Sequence, residues 1–290
     1  MDWSWLISRW NKLKFGKLML YIFSMIQRIS KIWNRFLAAV LVNVFFSLAI
    51  CACSQTVSNS NSDSSSDEEI PDGWSWDVPK EDRMNPESSY GTMTDPRDNK
   101  TYRIATIGEQ IWMAENLNYA DSVATPSLKG RSWCYNGVAA NCEVAGRLYT
   151  WAAAMDSVTT GCGYEMKCSL KSPVQGICPD GWHLPDSTDW RTLFKTLGGQ
   201  ITAAQFLKSQ SGWADKGNGT DSVSFSALPG GYASSYEGFL EDGKYAYFWC
   251  STDRIGGIFA DYMYMLYYDT AALLGSGYKV NALSIRCLKD

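Results

Sequence analysis

A single histidine, His183, and a close set of carboxylates, Asp180, Asp186 and Asp189, are the residues of this chain best placed by type and spacing to move protons. A histidine-dependent triad would have to use His183, and one histidine excludes a multi-histidine metal centre. His183 stands between Trp182 and Leu184, in a phrase that reads as a buried strand entering a helix. A structural ring bonded to nearby backbone is the expected role. Glycoside hydrolysis needs two carboxylates about 5 to 10 Å apart. Here, however, Asp186 and Asp189 read as helix-capping residues and Asp180 as a turn residue. No Walker-type loop is present, and no G-x-G-x-x-G follows a strand, so no nucleotide cofactor is expected. The reading is of a protein that is not an enzyme and holds neither cofactor nor metal.

Seven cysteines follow Cys53: Cys134, Cys142, Cys162, Cys168, Cys178, Cys250 and Cys287. No C-x-x-C pair occurs among them, which argues against zinc and for disulfides. Proximity favours Cys134 with Cys142 and Cys162 with Cys168, each closing a short loop. The long-range pair would then be Cys178 with Cys287, leaving Cys250 free, although spacing alone does not fix connectivity.

These side chains must be positioned by a folded region that begins near Thr94. Residues 101 to 117, TYRIATIGEQIWMAENL, read as two strands around Gly108-Glu109, a pair suited to a type II′ hairpin turn. A helix is expected over 145 to 156, AGRLYTWAAAMD. A second is signed by Asp186 as cap and by Trp190, Leu193, Phe194 and Leu197 at i, i+3, i+4 and i+7, and Gly198-Gly199 ends it. A short third helix is expected around Ala203 to Ser209. Strands are expected at Tyr245 to Ser251, Asp261 to Tyr268 and Ala282 to Leu288. Helices lying mid-chain between terminal strands indicate an α+β fold rather than repeating βαβ units.

The chain opens differently. Residues 1 to 35 carry seven basic side chains and one acid, and an uncharged, mostly apolar run follows from Phe36 to Ala52. That order is the pattern of a secretion signal. Ile50-Cys51-Ala52-Cys53 resembles a lipobox, making Cys53 the expected diacylated, palmitate-bearing anchor and residues 1 to 52 the signal. Taking Met25 as the start would give a basic region of ordinary length. A retained transmembrane anchor is the alternative, since the run is at the lower edge of a bilayer span. Seven of the fifteen residues from Ser54 to Glu68 are serine, so 53 to 69 reads as a disordered tether. Residues 70 to 93 read as an extended lead-in that packs by Trp74 and Trp76, and 94 to 290 as one globular domain. The net charge of −4 hides an asymmetry. Beyond Ala52 the chain holds 19 basic and 29 acidic residues, which gives no electrostatic reason to expect nucleic acid.

Six ordered phrases carry a family resemblance: DPRDNKTYRIATIGEQIWMAENLNYA at 95 to 120, GRLYTWAAAM at 146 to 155, QGICPDGWHLPDSTDW at 175 to 190, SFSALPGGY at 224 to 232, FWCST at 248 to 252 and SIRCL at 284 to 288. The chain closely resembles the Fibrobacter succinogenes major paralogous domain (FISUMP), a family of exported bacterial proteins, over residues 77 to 290. More distantly, GWHLPDSTDW and SIRC resemble the formylglycine-generating-enzyme group. That likeness implies a C-type-lectin-like fold, with two main helices packed on a twisted, mainly antiparallel sheet, the terminal strands side by side and disulfides bracing it. The calcium signatures and paired catalytic cysteines of those relatives have no counterpart here.

Nine tryptophans lie beyond Ala52, and the stretch from Tyr232 to Tyr278 is dense in tyrosine. Trp112, Trp151, Trp182, Trp190 and Trp249 fall within regular elements and are expected in the core. Trp213, Tyr232, Tyr236 and Tyr245 lie in or beside Gly- and Ser-rich loops and are the candidate ligand-binding residues. The function expected is that of a lipoprotein anchored in the outer membrane and exposed at the cell surface, its domain binding extracellular polysaccharide or envelope glycan without catalysis. A structural module contacting envelope proteins is the alternative, and a carbohydrate-active enzyme the third reading.

Overall fold

The computed structural model describes residues 73–254 and 256–290, all within one unit, Asp67–Asp290. The expected signal, the expected lipid attachment at Cys53 and the expected serine-rich tether lie outside the described residues. The fold is α+β, with much sheet and a few short helices.

Among the described residues, thirteen strands form two sheets. The first begins as a meander of β1 (Gly91–Thr94), β2 (Thr101–Ile107) and β3 (Gln110–Met113). Ile107 pairs with Gln110 across the expected two-residue turn, and Gly108 holds the positive φ, +62°, that a type II′ turn places there. The last strand, β13 (Leu288–Lys289), lies between β3 and β6 (Trp182–His183), with Leu288 opposite both Trp112 and His183. The two ends of the domain therefore share one antiparallel sheet.

The second sheet runs β11 (Ala272–Tyr278), β10 (Phe259–Leu266), β9 (Tyr245–Asp253), β7 (Gly230–Ser234), β12 (Ala282–Leu283), β5 (Leu148–Thr150) and β4 (Ser132–Trp133), with β8 (Gly238–Asp242) hairpinned onto β7. Its pairings are antiparallel except for one parallel contact between β7 and β9. The strand expected over 282 to 288 is in fact two. The chain leaves the second sheet after Leu283 and enters the first at Leu288. Between them the Ile285 and Cys287 carbonyls accept from Leu117 and Met113.

Among the described residues are five short α-helices: α1 (Ala139–Ala145), α2 (Trp151–Ala154), α3 (Ser157–Thr160), α4 (Ser187–Thr196) and α5 (Gln200–Leu207). α4 starts where the sequence places it, with a full capping box. The Asp186 side chain accepts from the Thr188 and Asp189 amides, and the Asp189 side chain accepts from the Asp186 amide. The helix expected over 145 to 156 is a correction. Gly146, at φ +72°, ends α1, and a Cβ there would lie 2.8 Å from the Asn116 carbonyl. Leu148–Thr150 is then drawn into the sheet between β12 and β4, and Thr150 caps the brief α2. Tyr149 fixes this arrangement, its hydroxyl meeting the Tyr119 amide and carbonyl at 2.9 Å. These tertiary contacts override a local helical preference.

The core has two main clusters. α4 and α5 cover one, where Trp112 and Trp190 pack at 4.5 Å beside Phe225 and Phe248. Trp151, Trp249, Leu184 and the Cys178–Cys287 bridge fill the other. All five tryptophans assigned to the core from sequence are buried. The disulfides are Cys134–Cys142 and Cys162–Cys168, the two pairs favoured by proximity, and the long-range Cys178–Cys287, and Cys250 is a buried free thiol. Residues before β1 pack on the domain. Trp76 stacks on Tyr135 at 4.8 Å and donates to Asp242, while Arg83 is fully buried against the Trp74 ring.

Candidate functional site

Side-chain alternation along β9 and β10 builds the site, on the regular side of a register shift between Ala260 and Tyr262. On β9, Ala246, Phe248 and Cys250 face the core under α4 and α5. Tyr245, Tyr247 and Trp249 take the opposite face, because successive strand side chains point to opposite sides. On β10, Met263 and Met265 are buried in the same core, and Tyr262 and Tyr264 join the tyrosine face. The register sets Tyr262 opposite Trp249 and Tyr264 opposite Tyr247. Neighbouring rings then meet. Tyr247 packs edge-to-face on Tyr262 at 5.5 Å and on Tyr232 at 5.3 Å, and lies nearly parallel to Tyr245 at 5.7 Å. The next strand, β11, places Gly275 opposite Tyr262, and the Tyr262 ring lies across Gly275 and Gly277. A Cβ at Gly275 would come within 2.9 Å of that ring, so glycine at this position is what lets the ring lie flat on the strand.

Between these rings lies a cleft of about 130 Å³ lined by Tyr232, Tyr247, Trp249, Tyr262, Tyr278 and Asn281, with Gly277 and Leu283. No charged side chain lines it. Asn281 is oriented by its carbonyl oxygen, which accepts from the Ser235 amide and hydroxyl, so its amide NH2 is left to donate. Burial raises the pKa of Tyr232, Tyr247 and Tyr262, with neighbouring phenols and glutamates adding to the shift. All three are therefore neutral hydroxyls at physiological pH. Buried tyrosines elsewhere in the domain use their hydroxyls internally: Tyr102 binds the Asn118 amide, Tyr135 the Asp242 carboxylate, and Tyr149 the Tyr119 backbone. Among the described residues the hydroxyls of Tyr232, Tyr247 and Tyr262 have no such partner. The arrangement offers flat apolar rings edged by polar groups that can donate or accept, a surface suited to stacking and hydrogen bonding.

A second cavity, about 100 Å³, is polar and lies near the residues before β1. Its charges are engaged with one another. Glu115 meets Lys80 at 2.9 Å and Arg103 at 3.1 Å, and Glu143 accepts from Asn118. Such paired groups hold the structure together and leave little to act on a ligand.

The model of the Fibrobacter succinogenes major domain matches residues 105–289. The chain belongs to that family. No curated protein and no solved structure matches it. The family segment carries the whole aromatic cleft and all three disulfides, whereas β1, the start of β2 and the packed segment from Gly73 lie ahead of it.

Within the family domain the four expected ligand residues have different fates. Tyr232 lines the cleft and Tyr245 extends its tyrosine face. Tyr236 is 86% exposed at the turn between β7 and β8, and Tyr236 and Tyr278 both lie close enough to the Tyr164 hydroxyl to help raise its pKa. Trp213 is a correction. It is fully buried, its indole N–H donating to the Ser209 hydroxyl and the Ala227 carbonyl, with the Lys208 ammonium 4.7 Å from its ring. A Gly- and Ser-rich context suggested exposure, but that loop folds inward because the ring finds both apolar cover and a partner for its N–H. Tyr247, Tyr262 and Tyr264 were missed. The Tyr-x-Tyr-x-Trp and Tyr-x-Tyr alternations at 245 to 249 and 262 to 264 were the signal available.

His183 is also corrected in part. It is buried, as expected, but its partners are carboxylates rather than backbone: Asp290 at 2.7 Å from Nδ1 and Asp189 at 3.5 Å from Nε2. Burial opposes its charge, and the two carboxylates outweigh burial and raise its pKa. Asp180 accepts from Gln175, and Asp186 and Asp189 serve the helix cap. No helix among the described residues is long and apolar enough to cross a membrane, and no three of their His, Cys, Asp or Glu side chains cluster as metal ligands.

Proposed function

We propose that this chain is an exported lipoprotein, held in the outer membrane through an acylated Cys53 and displayed at the cell surface, whose family domain binds extracellular polysaccharide or envelope glycan without catalysing its cleavage. One observation carries the binding reading: the uncharged cleft walled by Tyr232, Tyr247, Tyr262 and Tyr278, whose hydroxyls and the Asn281 amide are available to a polyhydroxylated ligand. Rigid rings bring apolar area with little side-chain entropy to lose, and each neutral donor can pair with a sugar hydroxyl. The seating of β13 beside β3, which closes the domain on itself, supports a C-type-lectin-like arrangement. A second reading, a module for contacts with envelope proteins, is favoured by the exposed rings of Tyr164, Tyr236 and Tyr278.

Pull-down on insoluble polysaccharides and a glycan array, both with the full detergent-solubilised chain, test the binding reading. Retention on at least one glycan is expected, with Tyr247→Ala weakening it by roughly tenfold or more, the loss typical of a central aromatic contact. A folded chain retained on no glycan would remove this reading in favour of the protein-contact one. Cys53→Ala tests the anchor: it is expected to abolish incorporation of labelled palmitate and leave precursor uncleaved, and unchanged lipid labelling of that variant would refute the lipoprotein assignment.

A further inference from the structure

The charges around the aromatic cleft are as informative as its lining. No charged residue type lines the cleft, and burial keeps the Tyr232, Tyr247 and Tyr262 phenols protonated. Two glutamates stand on the adjoining β7–β8 hairpin: Glu241 follows Leu240, which pairs with Tyr232, and Glu237 lies in the turn between the two strands. Glu241 lies close enough to Tyr232, Tyr245 and Tyr247 to act on all three hydroxyls, and Glu237 acts on Tyr232. Lys279, the cation that follows Tyr278 in the chain, is buried and committed: its ammonium sits 2.6 Å from Asp253, donates to the Gly163 and Met166 carbonyls, and lies 4.1 Å from the Trp151 ring. No basic side chain lines the cleft to receive an anion.

We infer that the cleft selects uncharged glycan chains and rejects those bearing carboxylate, sulfate or phosphate groups. The inference rests on the reading of the cleft as a glycan site and deepens it. A neutral pyranose can stack on the rings and bond to the hydroxyls without meeting a charge. A uronate or sulfated sugar in the same pose would bring its anion towards Glu237 and Glu241 and lose hydration with no cation in return. The rejection is electrostatic and partly exposed to solvent, so it weakens as salt shortens the Debye length from about 10 Å at 0.1 M to about 3 Å at 1 M. Stacking on the rings does not weaken in this way.

Affinity electrophoresis of the full detergent-solubilised chain separates the possibilities, using two pairs of polymers. Hydroxyethyl cellulose and carboxymethyl cellulose share a backbone and differ in charge, and galactomannan and polygalacturonate extend the contrast to other sugars. At least one neutral polymer is expected to retard the protein, with both anionic polymers at least tenfold weaker at low salt and the gap narrowing at high salt. Glu237→Gln combined with Glu241→Gln should strengthen binding to the anionic polymers and leave neutral binding within about twofold. Anionic polymers bound as well as neutral ones, or anionic binding unmoved by the glutamate substitutions, would overturn the selectivity while leaving the glycan reading in place. Retardation by none of the four, with native circular dichroism, would remove the glycan reading and the selectivity with it.

Discussion

Replacing Arg286 by methionine is expected to destabilise the domain by more than about 4 kcal/mol, a large share of the roughly 5 to 15 kcal/mol that holds a domain folded. The guanidinium is almost wholly buried and has no carboxylate in contact. Its donors go instead to Asn116 Oδ1 at 2.7 Å, the Met113 carbonyl at 3.0 Å, the Ser226 carbonyl at 3.0 Å and the Phe225 carbonyl, while its plane packs on the Phe225 and Phe248 rings. Burial lowers its pKa to about 9, and Glu115 and Asp221 act from a distance to hold it up. Methionine would fill much of the volume but leave four acceptors without this donor. Each buried orphan costs about 1 to 3 kcal/mol, which sets the size of the effect. Arg286→Lys should recover only part of the loss, because one ammonium cannot reproduce a planar fork that reaches two separate loops. Denaturant titration under non-reducing conditions reads the loss, with the exposed Arg191→Ala expected within about 0.5 kcal/mol of the parent as control. A loss below about 2 kcal/mol for Arg286→Met would mean that these bonds are replaced by water, and that the junction is held by its apolar contacts alone.

That residue also shows where sequence reading stops. Arg286 stands in the SIRCL phrase, but its acceptors come from residues 113 to 116 and 225 to 226, and no local pattern links those segments. Features written within a few residues were legible. The capping box of α4 needs only Asp186 and Asp189, and the β2–β3 turn needs only Gly108-Glu109. Two of the disulfides close loops short enough to be inferred from proximity. The helix expected over 145 to 156 failed because Tyr149 is fixed by residue 119, and Trp213 failed as a surface residue because Ser209 and Ala227 supply its partners from inside. Half of the candidate site was available in principle. Tyr245, Tyr247 and Trp249 alternate with core residues, and only the expectation that ligands are met by loops directed attention away from a strand face. The contribution of Gly275 and Gly277, which accept the Tyr262 ring, depends on the register of β10 on β11 and could not be read from spacing.

Removing the Cys178–Cys287 bridge as a double serine variant should cost about twice as much as removing either short one. Closing a chain loop limits the unfolded ensemble more as the loop lengthens. The chain-entropy relation gives about 4.8 kcal/mol for the 109-residue separation of Cys178 and Cys287, against about 2.2 to 2.5 kcal/mol for separations of 6 and 8. Position adds to length here. Cys287 immediately precedes β13, whose Leu288 pairs with both Trp112 and His183, so the bridge ties an inner strand of the five-stranded sheet to the turn before β6. Replacing both cysteines together avoids a stray thiol in the folded domain. Cys250 introduces no competing exchange in that state, because it is fully buried and burial pushes its thiol pKa well above the usual range, leaving almost no thiolate to attack. Urea midpoints for the three double variants, compared without reductant, decide the point. Equal losses at all three bridges would show that local strain and packing, rather than the length of chain enclosed, set what each disulfide contributes. A much larger loss at Cys178–Cys287 alone, beyond about 6 kcal/mol, would instead show that β13 cannot hold its place between β3 and β6 without the covalent tie.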